Sequence, residues 1–467
     1  MSSLVIFTSI TRNYLAKARV LAQSVKQHHP DVEFHCVVAD FLAPEDGLHQ
    51  IDEFDKVVDL RAFKDTLDPA WLFMHALVET CTTVKPLYLH RCLQQGAKKV
   101  IYLDPDTRLF SPITPVIDML DNVDICLTPH VADVDYDRDS IRDNEISAAK
   151  HGVYNLGFFA VNQNSEGMAF ARWWSDRVVN YGYAQTFMGS FTDQKICDFA
   201  PAYFDSIKIM RHPGLNVAHW NLNQREIAET PNGFTANGKP MIFYHFSSYD
   251  SGVGEIMSVK YSSQTRNAVD KIWQIYKHEN DALTHYGYEQ MPWTLSTFED
   301  GSPISGEVRL YYRQNEHLQY RFPEPFKVGT DSLKDFWEST PECRAFDEQW
   351  HATQAFLKTF RFARTDQFLT AKLSSIQTLR RQPPQRLFIY GANEFGYQVA
   401  MLATSMLSCE IVLLDRDSTK LLAGLTAHPP EDFRFAQTDA VIVCGKAHEQ
   451  EMRDTIRALS DGAPALF

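Results

Sequence analysis

Lys99-Val100-Ile101-Tyr102-Leu103-Asp104-Pro105-Asp106-Thr107-Arg108-Leu109-Phe110 governs how the rest of the chain is read. Its first half, Val100 to Leu103, is apolar and β-prone and runs straight into two carboxylates one residue apart. Pro105 bars regular pairing between them. This is the pattern of a buried strand delivering acid to its own carboxyl end. In open α/β sheets ligands sit in the crevice outside the carboxyl ends of the strands, which puts Asp104 and Asp106 where a substrate is reached. Two hard oxygen donors there suit one divalent cation, whose shell is completed by water and by the phosphate oxygens of a nucleoside diphosphate. The same triplet also makes turns and helix caps, so its meaning depends on its neighbours.

Upstream, Leu4 to Ser9 reads as a first strand of the kind buried on both faces. Tyr14 to Gln27 then places Leu15, Ala18, Leu21, Ala22 and Val25 at helical spacing and ends at His28-His29-Pro30-Asp31. Phe34 to Ala39, closing on Asp40, and Val57 to Leu60 are further strands, followed by helices over Trp71 to Cys81 and Lys85 to Gln95. This alternation predicts a mostly parallel sheet covered by helices on both faces. Beyond the two aspartates, Val123 to Leu127 is another strand. The acidic run Asp133 to Asp139 is either a solvated loop or a lid over the metal edge.

Length and charge bound the reading. The 467 residues exceed what one hydrophobic core organises, so two or three units are expected. A formal net charge of -14 argues against nucleic acid as a partner, because phosphate binding is driven by Lys and Arg. The opening Met1 to Ile6 lacks a basic n-region and no apolar run has membrane-spanning length, which predicts a cytoplasmic protein, soluble or peripheral to the inner face of the membrane. The 8 cysteines are scattered singly, several within apolar runs (Cys36, Cys126, Cys444), as buried reduced thiols are.

Three later stretches carry chemistry. Val153 to Asn162 is a strand with a glycine, Gly157, that allows close approach, and an asparagine, Asn155, whose amide both donates and accepts, as a hydroxyl-rich ligand requires. After an amphipathic helix over Ala169 to Val179, with Trp173 and Trp174 as core, Thr192 is expected to cap a further helix with Asp193 at its positive end. Pro201 to Ile209 is read as extended chain, and Met241 to Phe246 as a strand ending in His245. That imidazole is either a satisfied structural residue or a third ligand to a cation already held by two carboxylates.

Thr83-Val84-Lys85-Pro86, Tyr102-Leu103-Asp104-Pro105-Asp106, Tyr154-Asn155-Leu156-Gly157, Asp193-Gln194 and His245-Phe246 follow one another in an order and spacing that resembles glycosyltransferase family 8. This group of retaining GT-A enzymes includes bacterial lipopolysaccharide hexosyltransferases and glycogenin. The resemblance covers residues 1–264. It implies Mn2+ or Mg2+ held by Asp104, Asp106 and His245, with Asp104 also touching the donor. It places Thr8, Ser9 and Tyr14 in the nucleotide-binding first unit, Lys85 near the donor phosphate or sugar, Asn155 on the donor sugar, and Asp193 with Gln194 at the reaction centre. It further implies a nucleoside-diphosphate sugar donor, a UDP-sugar foremost, a glycan or lipid-linked acceptor, and retention of configuration in bacterial surface polysaccharide synthesis. The chain departs from the family pattern twice. Thr8 and Ser9 stand where acidic residues are usual, and no Lys-Pro-Trp run follows the histidine, Lys260 being the next lysine after His245-Phe246-Ser247-Ser248-Tyr249-Asp250.

Residues 265–384 read as a helical extension: Asn267 to Tyr276, Val308 to Tyr312, Leu333 to Trp337, and a longer amphipathic stretch over Phe356 to Arg381. The last is a connector or a surface touching anionic lipid, and Arg380 to Pro384 a stiff linker. Residues 385–467 begin a second α/β unit. Strand Leu387 to Tyr390, Gly391-Ala392-Asn393-Glu394-Phe395-Gly396, a helix to Leu407, and strand Ile411 to Leu414 closing on Asp415 lie near a dinucleotide fingerprint, with Asn393 in the middle-glycine place. Docking, homo-oligomerisation, or a nucleotide-sugar oxidoreductase or epimerase site are the roles this unit could serve, and a non-catalytic sugar-binding subunit is the remaining alternative. The expected architecture is therefore α/β: a GT-A mixed sheet with flanking helices (1–264), a helical extension (265–384) and a small Rossmann-like domain (385–467).

Overall fold

The structure is a computed structural model that describes residues 3–262, 265–284, 287–340, 343, 346, 367–422 and 424–467. Strands β1 (Leu4–Ile10), β2 (Glu33–Val38), β3 (Lys56–Val58), β4 (Lys99–Leu103), β5 (Thr107–Leu109), β6 (Ile125–Pro129), β7 (Tyr154–Asn162) and β8 (Ile207–Ile209) follow in chain order. All but β5 form one sheet in the order β3-β2-β1-β4-β7-β6-β8. Every neighbouring pair is parallel except those made by β7, which runs against both β4 and β6. That reversal brings the start of β7, with Asn155 and Gly157, beside the carboxyl end of β4.

Both faces of the sheet are buried, as near-continuous apolar strands require. Val5, Phe7, Val100 and Tyr102 pack with Val84, Tyr88, Leu89 and Leu93 of the helix Leu77–Gln94. Ile6, Ile101 and Leu103 pack on the opposite face with Leu15, Ala18, Leu21, Ala22 and Val25 of the helix Leu15–His28. A meander of β9 (Ile227–Thr230), β10 (Gly233–Ala236) and β11 (Lys239–Pro240) precedes β12 (Phe243–His245), which pairs antiparallel with β5.

Local details differ from the sequence expectation in three places. The helix expected over Trp71 to Cys81 breaks after Pro69–Met74, because His75 is extended and Glu79 accepts the Ala76 amide, and its remainder runs on into the helix expected over Lys85 to Gln95 as one helix, Leu77–Gln94. Thr192 adopts φ +47 instead of capping a helix, and a short 3-10 turn, Lys195–Phe199, begins only later. Pro201 to Ile209 opens with the helical turn Ala200–Tyr203 before β8. Among the described residues no helix is long and apolar enough to cross a membrane.

The backbone groups into two compact units, 1–350 and 351–467. Within the first, the helix Arg266–Leu283 packs Ile272, Trp273 and Tyr276 against Tyr244 and Phe246. Trp293 donates to the carbonyl of Ala39 at the end of β2 (2.8 Å). In the second unit β13 (Arg386–Tyr390), β14 (Glu410–Leu414), β15 (Leu421–Leu422), β16 (Leu425–His428), β17 (Ala440–Val443) and β18 (Ala465–Leu466) form a sheet in the order β15-β16-β14-β13-β17-β18, parallel except for β15. The helix Gln367–Arg381 packs Ile376 and Leu379 on this sheet, whereas residues 356–366 of the expected amphipathic stretch lie outside the described residues.

Arg309 anchors the helix Gly306–Gln314 by donating to the carbonyls of Phe73 (2.7 Å), His75 (3.2 Å), Leu72 (3.4 Å) and Leu295. Removing a buried guanidinium strands those acceptors. Arg309→Met is expected to lower the unfolding free energy by about 3 kcal/mol. Urea denaturation checks this, and an unchanged midpoint would refute it.

Candidate active site

Beyond Leu103, β4 ends in one last ladder bond, from the Asp104 amide to the Gly157 carbonyl (2.8 Å). The chain then turns: the Thr107 amide (3.1 Å) and hydroxyl (2.7 Å) both donate to the Asp104 carbonyl, and β5 starts. Register within the small sheet sets His245 opposite Thr107, and Phe246 donates its amide to Asp106 (2.7 Å). Asp104, Asp106 and His245 therefore converge. His245 Nε2 lies 3.1 Å from Asp106 and 3.8 Å from Asp104, and the three potential ligand atoms lie within 4.8 Å of one another.

The donor set fits a divalent cation. Two carboxylates supply hard oxygens, and the His245 Nδ1 faces the Asn216 Oδ1 (3.3 Å), which selects the tautomer that leaves Nε2 a lone pair toward the carboxylates. Gly157 completes the cradle. A Cβ there would stand 2.5 Å from His245 Cε1, 2.7 Å from Asp104 Oδ2 and 2.8 Å from Asn155 Oδ1.

Lys85, on the helix Leu77–Gln94, reaches the far side of Asp104 (3.0 Å) and also pairs with Asp193 (3.3 Å) and the Leu156 carbonyl (3.3 Å). Burial alone would pull its ammonium down, but Asp104 and Asp193 override that and hold it well above its ordinary value. Asp193 is buried too, and burial pushes its carboxyl up against the pull of Lys85. Tyr102 donates to Asp104 (2.6 Å), and Ser9 in turn contacts the Tyr102 hydroxyl (2.9 Å).

A neutral network adjoins the charged one. Asn155 accepts from Asn216 (3.0 Å) and its amide meets His130 Nε2 (3.1 Å); Asn216 also donates to Thr128 (3.1 Å). Burial pushes His130 down to about 4, so it stays uncharged at neutral pH. Gln194 spends both ends of its carboxamide on main chain, accepting from the Leu156 amide (3.1 Å) and donating to the His151 carbonyl (3.1 Å).

Of the residues singled out in the sequence, Asp104, Asp106, His245, Lys85, Asn155, Asp193 and Ser9 join one connected cluster. Tyr14 stands beside it, its phenol pushed up by burial and by Asp106 and Asp250. Thr8 is fully buried, and its hydroxyl has no partner among the described residues. Asn216, His130 and Tyr102 were not legible as site residues. Tyr102 looks like core within its apolar strand, and the only signal for Asn216 is the turn-like His212-Pro213-Gly214 before it, where an asparagine tolerates its φ of +50. The acidic run Asp133 to Asp139 is pinned: Asp135 binds Ser140 (2.5 Å) and Asn223, and its carboxyl is held down by those contacts despite partial burial.

Residues 5–166 match the model of Glycosyl transferase family 8. With the mixed sheet and the triad at its carboxyl edge, that match supports a family 8-like fold of the GT-A type in the amino-terminal unit. Among curated proteins, the chain is 25% identical over 192 residues to the uncharacterized protein YfnF of Bacillus subtilis (strain 168), covering 40% of this chain and 62% of that one. It is 22% identical over 253 residues to YfnD of the same organism, covering 53% and 79%. Solved structures similar to it include galactosyltransferase LgtC in complex with donor and acceptor sugar analogs (16% identity, 60% of this chain and 97% of that one, TM-score 0.37). Mouse xyloside xylosyltransferase 1 is another (16% identity, 53% and 97%, TM-score 0.34).

The pair at the centre of the site predicts a pH signature for metal-free protein. Burial alone would lower His245 from its ordinary 6.5, but Asp106 overrides it and the net shift is upward; burial alone would raise Asp106 from 3.8, but His245 overrides it and the net shift is downward. The His245 contribution is fully present below 6.5 and is lost as pH rises through its raised native value. The Asp106 contribution is present above 3.8 and is lost as pH falls through its lowered native value. Melting temperature in chelator should therefore fall as pH rises from 6.5 through the raised native value of His245, and His245→Gln should flatten that fall. Parallel profiles for the two proteins would exclude the pair as its cause.

Proposed function

We propose that this protein transfers a hexose from a nucleoside-diphosphate sugar, a UDP-sugar foremost, to a glycan or lipid-linked acceptor in bacterial surface polysaccharide synthesis, with retention of configuration. The observation that carries this reading is the convergence of Asp104, Asp106 and His245 at the carboxyl edge of a family 8-like domain, with Lys85 locked behind them. Asp104, Asp106 and His245 would hold Mn2+ or Mg2+, which when bound offsets charge on the diphosphate leaving group.

The chain's own residues then have definite tasks. Lys85 stays charged and fixes the Asp104 carboxylate, while Asn216 fixes the imidazole of His245. Asn155, at the neutral side, meets the hydroxyls of the donor sugar. Ser9 and Tyr14 flank the nucleotide, and Thr8 supports that wall from beneath. Asp193 lies beside Lys85, where a buried carboxylate stabilises positive charge developing at the anomeric carbon, and Gln194 holds the Leu156 segment between Asn155 and Gly157. Both carboxylates of the triad are engaged in binding and Asp193 is paired, so retention is assigned to front-face attack. The bond from the anomeric carbon to the phosphate oxygen breaks, the bond to the acceptor oxygen forms on the same face, and the acceptor's proton passes to the departing phosphate.

The test is a thermal-shift and hydrolysis screen of nucleotide sugars with and without Mn2+, on wild type and on Asp106→Asn. A ligand that binds only the folded state raises the melting temperature by mass action, so the donor declares itself without an acceptor. Stabilisation and slow hydrolysis by one nucleotide sugar, only with metal and lost in Asp106→Asn, are expected. Nucleotide sugars without effect, and NAD(P) stabilising both proteins equally, would instead direct attention to the second unit.

A further inference from the structure

We propose that Lys17 is a second diphosphate-binding cation of this site, latched by Asp250 until the diphosphate displaces it. The inference rests on the reading of the triad as a metal and nucleoside-diphosphate site. Lys17 lies in the first turn of the helix Leu15–His28, and both of its recorded ion contacts go to the two oxygens of Asp250 (2.6 and 2.5 Å). The pair is lopsided. The Lys17 side chain is 7% exposed, but that of Asp250 is 58% exposed. A buried ammonium is expensive unless well paired, whereas a carboxylate already more than half in water gains little from the pair. Such a carboxylate, here also hydrogen-bonded to the Tyr14 phenol, exchanges with another anion more readily than a buried one and leaves its cation and that phenol to it.

Position points to which anion. Lys17 is close enough to the triad that its charge, after burial and His245, is among the influences on Asp106. Its ammonium stands 3.7 Å over the Tyr14 ring and 5.5 Å from the Tyr249 ring, aromatic faces that help offset the water it has lost. Asp250 sits on the loop that follows β12, between Ser248 (φ +61) and Gly252 (φ +70), five residues from His245. The other two lysines that could serve are committed. Lys85 is held between Asp104 and Asp193, and Lys260, the next lysine after His245, binds Asp143 (2.6 Å).

Charge balance gives the reason for a second cation. Asp104, Asp106 and Asp193 oppose three carboxylates to the one ammonium of Lys85. A divalent ion brings that set to neutrality and leaves nothing over for a diphosphate. Exchange of Asp250 for a phosphate oxygen on Lys17 supplies the missing positive charge, and the released carboxylate returns to water.

The probes are Mn2+ alone, and UDP, GDP and inorganic pyrophosphate each with Mn2+, titrated calorimetrically into wild type, Lys17→Met, Lys17→Arg and Asp250→Asn. Lys17→Met is expected to weaken the metal-dependent diphosphates by about tenfold while leaving Mn2+ alone within about twofold, because the ammonium meets phosphate and not the ion. Lys17→Arg should retain most of the affinity. Asp250→Asn should tighten the diphosphates, since their competitor for Lys17 is weakened; a pair serving stability alone would make it act in the same direction as Lys17→Met. Wild-type affinity in Lys17→Met, or weakening in both Lys17→Met and Asp250→Asn, overturns the role of Lys17 and leaves the donor site standing. Failure of wild type to bind any of the three with Mn2+ overturns the donor site and the latch together.

Discussion

The hydrogen bond from the Asp104 amide to the Gly157 carbonyl is the hinge on which the candidate site hangs. It is the last rung between β4 and β7, and it exists because β7 runs antiparallel in an otherwise parallel neighbourhood. After it, Pro105 cannot donate, so the chain leaves the large sheet and, within the turn closed by Thr107, enters the small one. The two aspartates thus straddle a junction between sheets: Asp104 belongs to the edge of the first, and Asp106 to the strand pair that carries His245. Convergence of the three candidate ligand side chains follows from backbone register. Gly157 is where this geometry tolerates no side chain, since three site residues already occupy the space its Cβ would take.

Electrostatics divide the same edge into two halves. On one side three carboxylates crowd a largely buried space, which is stable only because Lys85 bridges two of them and stays protonated against its own burial. On the other side His130, Asn155, Asn216 and Thr128 form a chain of neutral donors and acceptors, kept neutral by the burial that drives His130 down to about 4. A ligand with a charged diphosphate at one end and uncharged hydroxyls at the other matches that division. Tyr102 is the joint between the sheet core and the charged half: its ring stacks on Phe159, while its hydroxyl donates to Asp104.

How much of this the sequence disclosed depended on whether a residue's task was local. Val100 to Asp106 and Met241 to His245 were readable because a strand and the residue at its end are contiguous in the chain. The alternation of strands and helices likewise gave the mostly parallel sheet with helices on both faces. The reversal of β7 was not legible, since a buried strand has the same composition in either direction. Asn216 orients His245 from 29 residues away, on a turn of no distinctive composition. Thr192-Asp193 resembled a helix start, yet Thr192 is left-handed and its hydroxyl donates to the Asp193 side chain, because Asp193 is drawn toward Lys85 and not toward a helix terminus. Tertiary charge pairing overrode a local capping preference there.

The second unit shows the limit of reading a motif by its outline. Strand, glycine turn, helix and terminal acid are all present, and Gly391 takes φ +117 as the turn demands. But the asparagine in the middle-glycine place is not a passive substitution. Asn393 accepts from the Gly396 amide (3.1 Å) and so caps the helix, and it donates to the Cys444 carbonyl (2.9 Å), tying the turn to the end of β17. Asp415, the acid at the end of β14, accepts from the Ala392 amide (2.8 Å). A pyrophosphate approaching this turn would compete with groups already satisfied by the chain itself, whereas in the dinucleotide fingerprint a glycine keeps that approach open. The first unit thus carries a charged edge where β4 turns into β5, and the second a strand–turn–helix closed on itself; what separates them is whether the side chains at the strand ends reach toward each other or back to main chain.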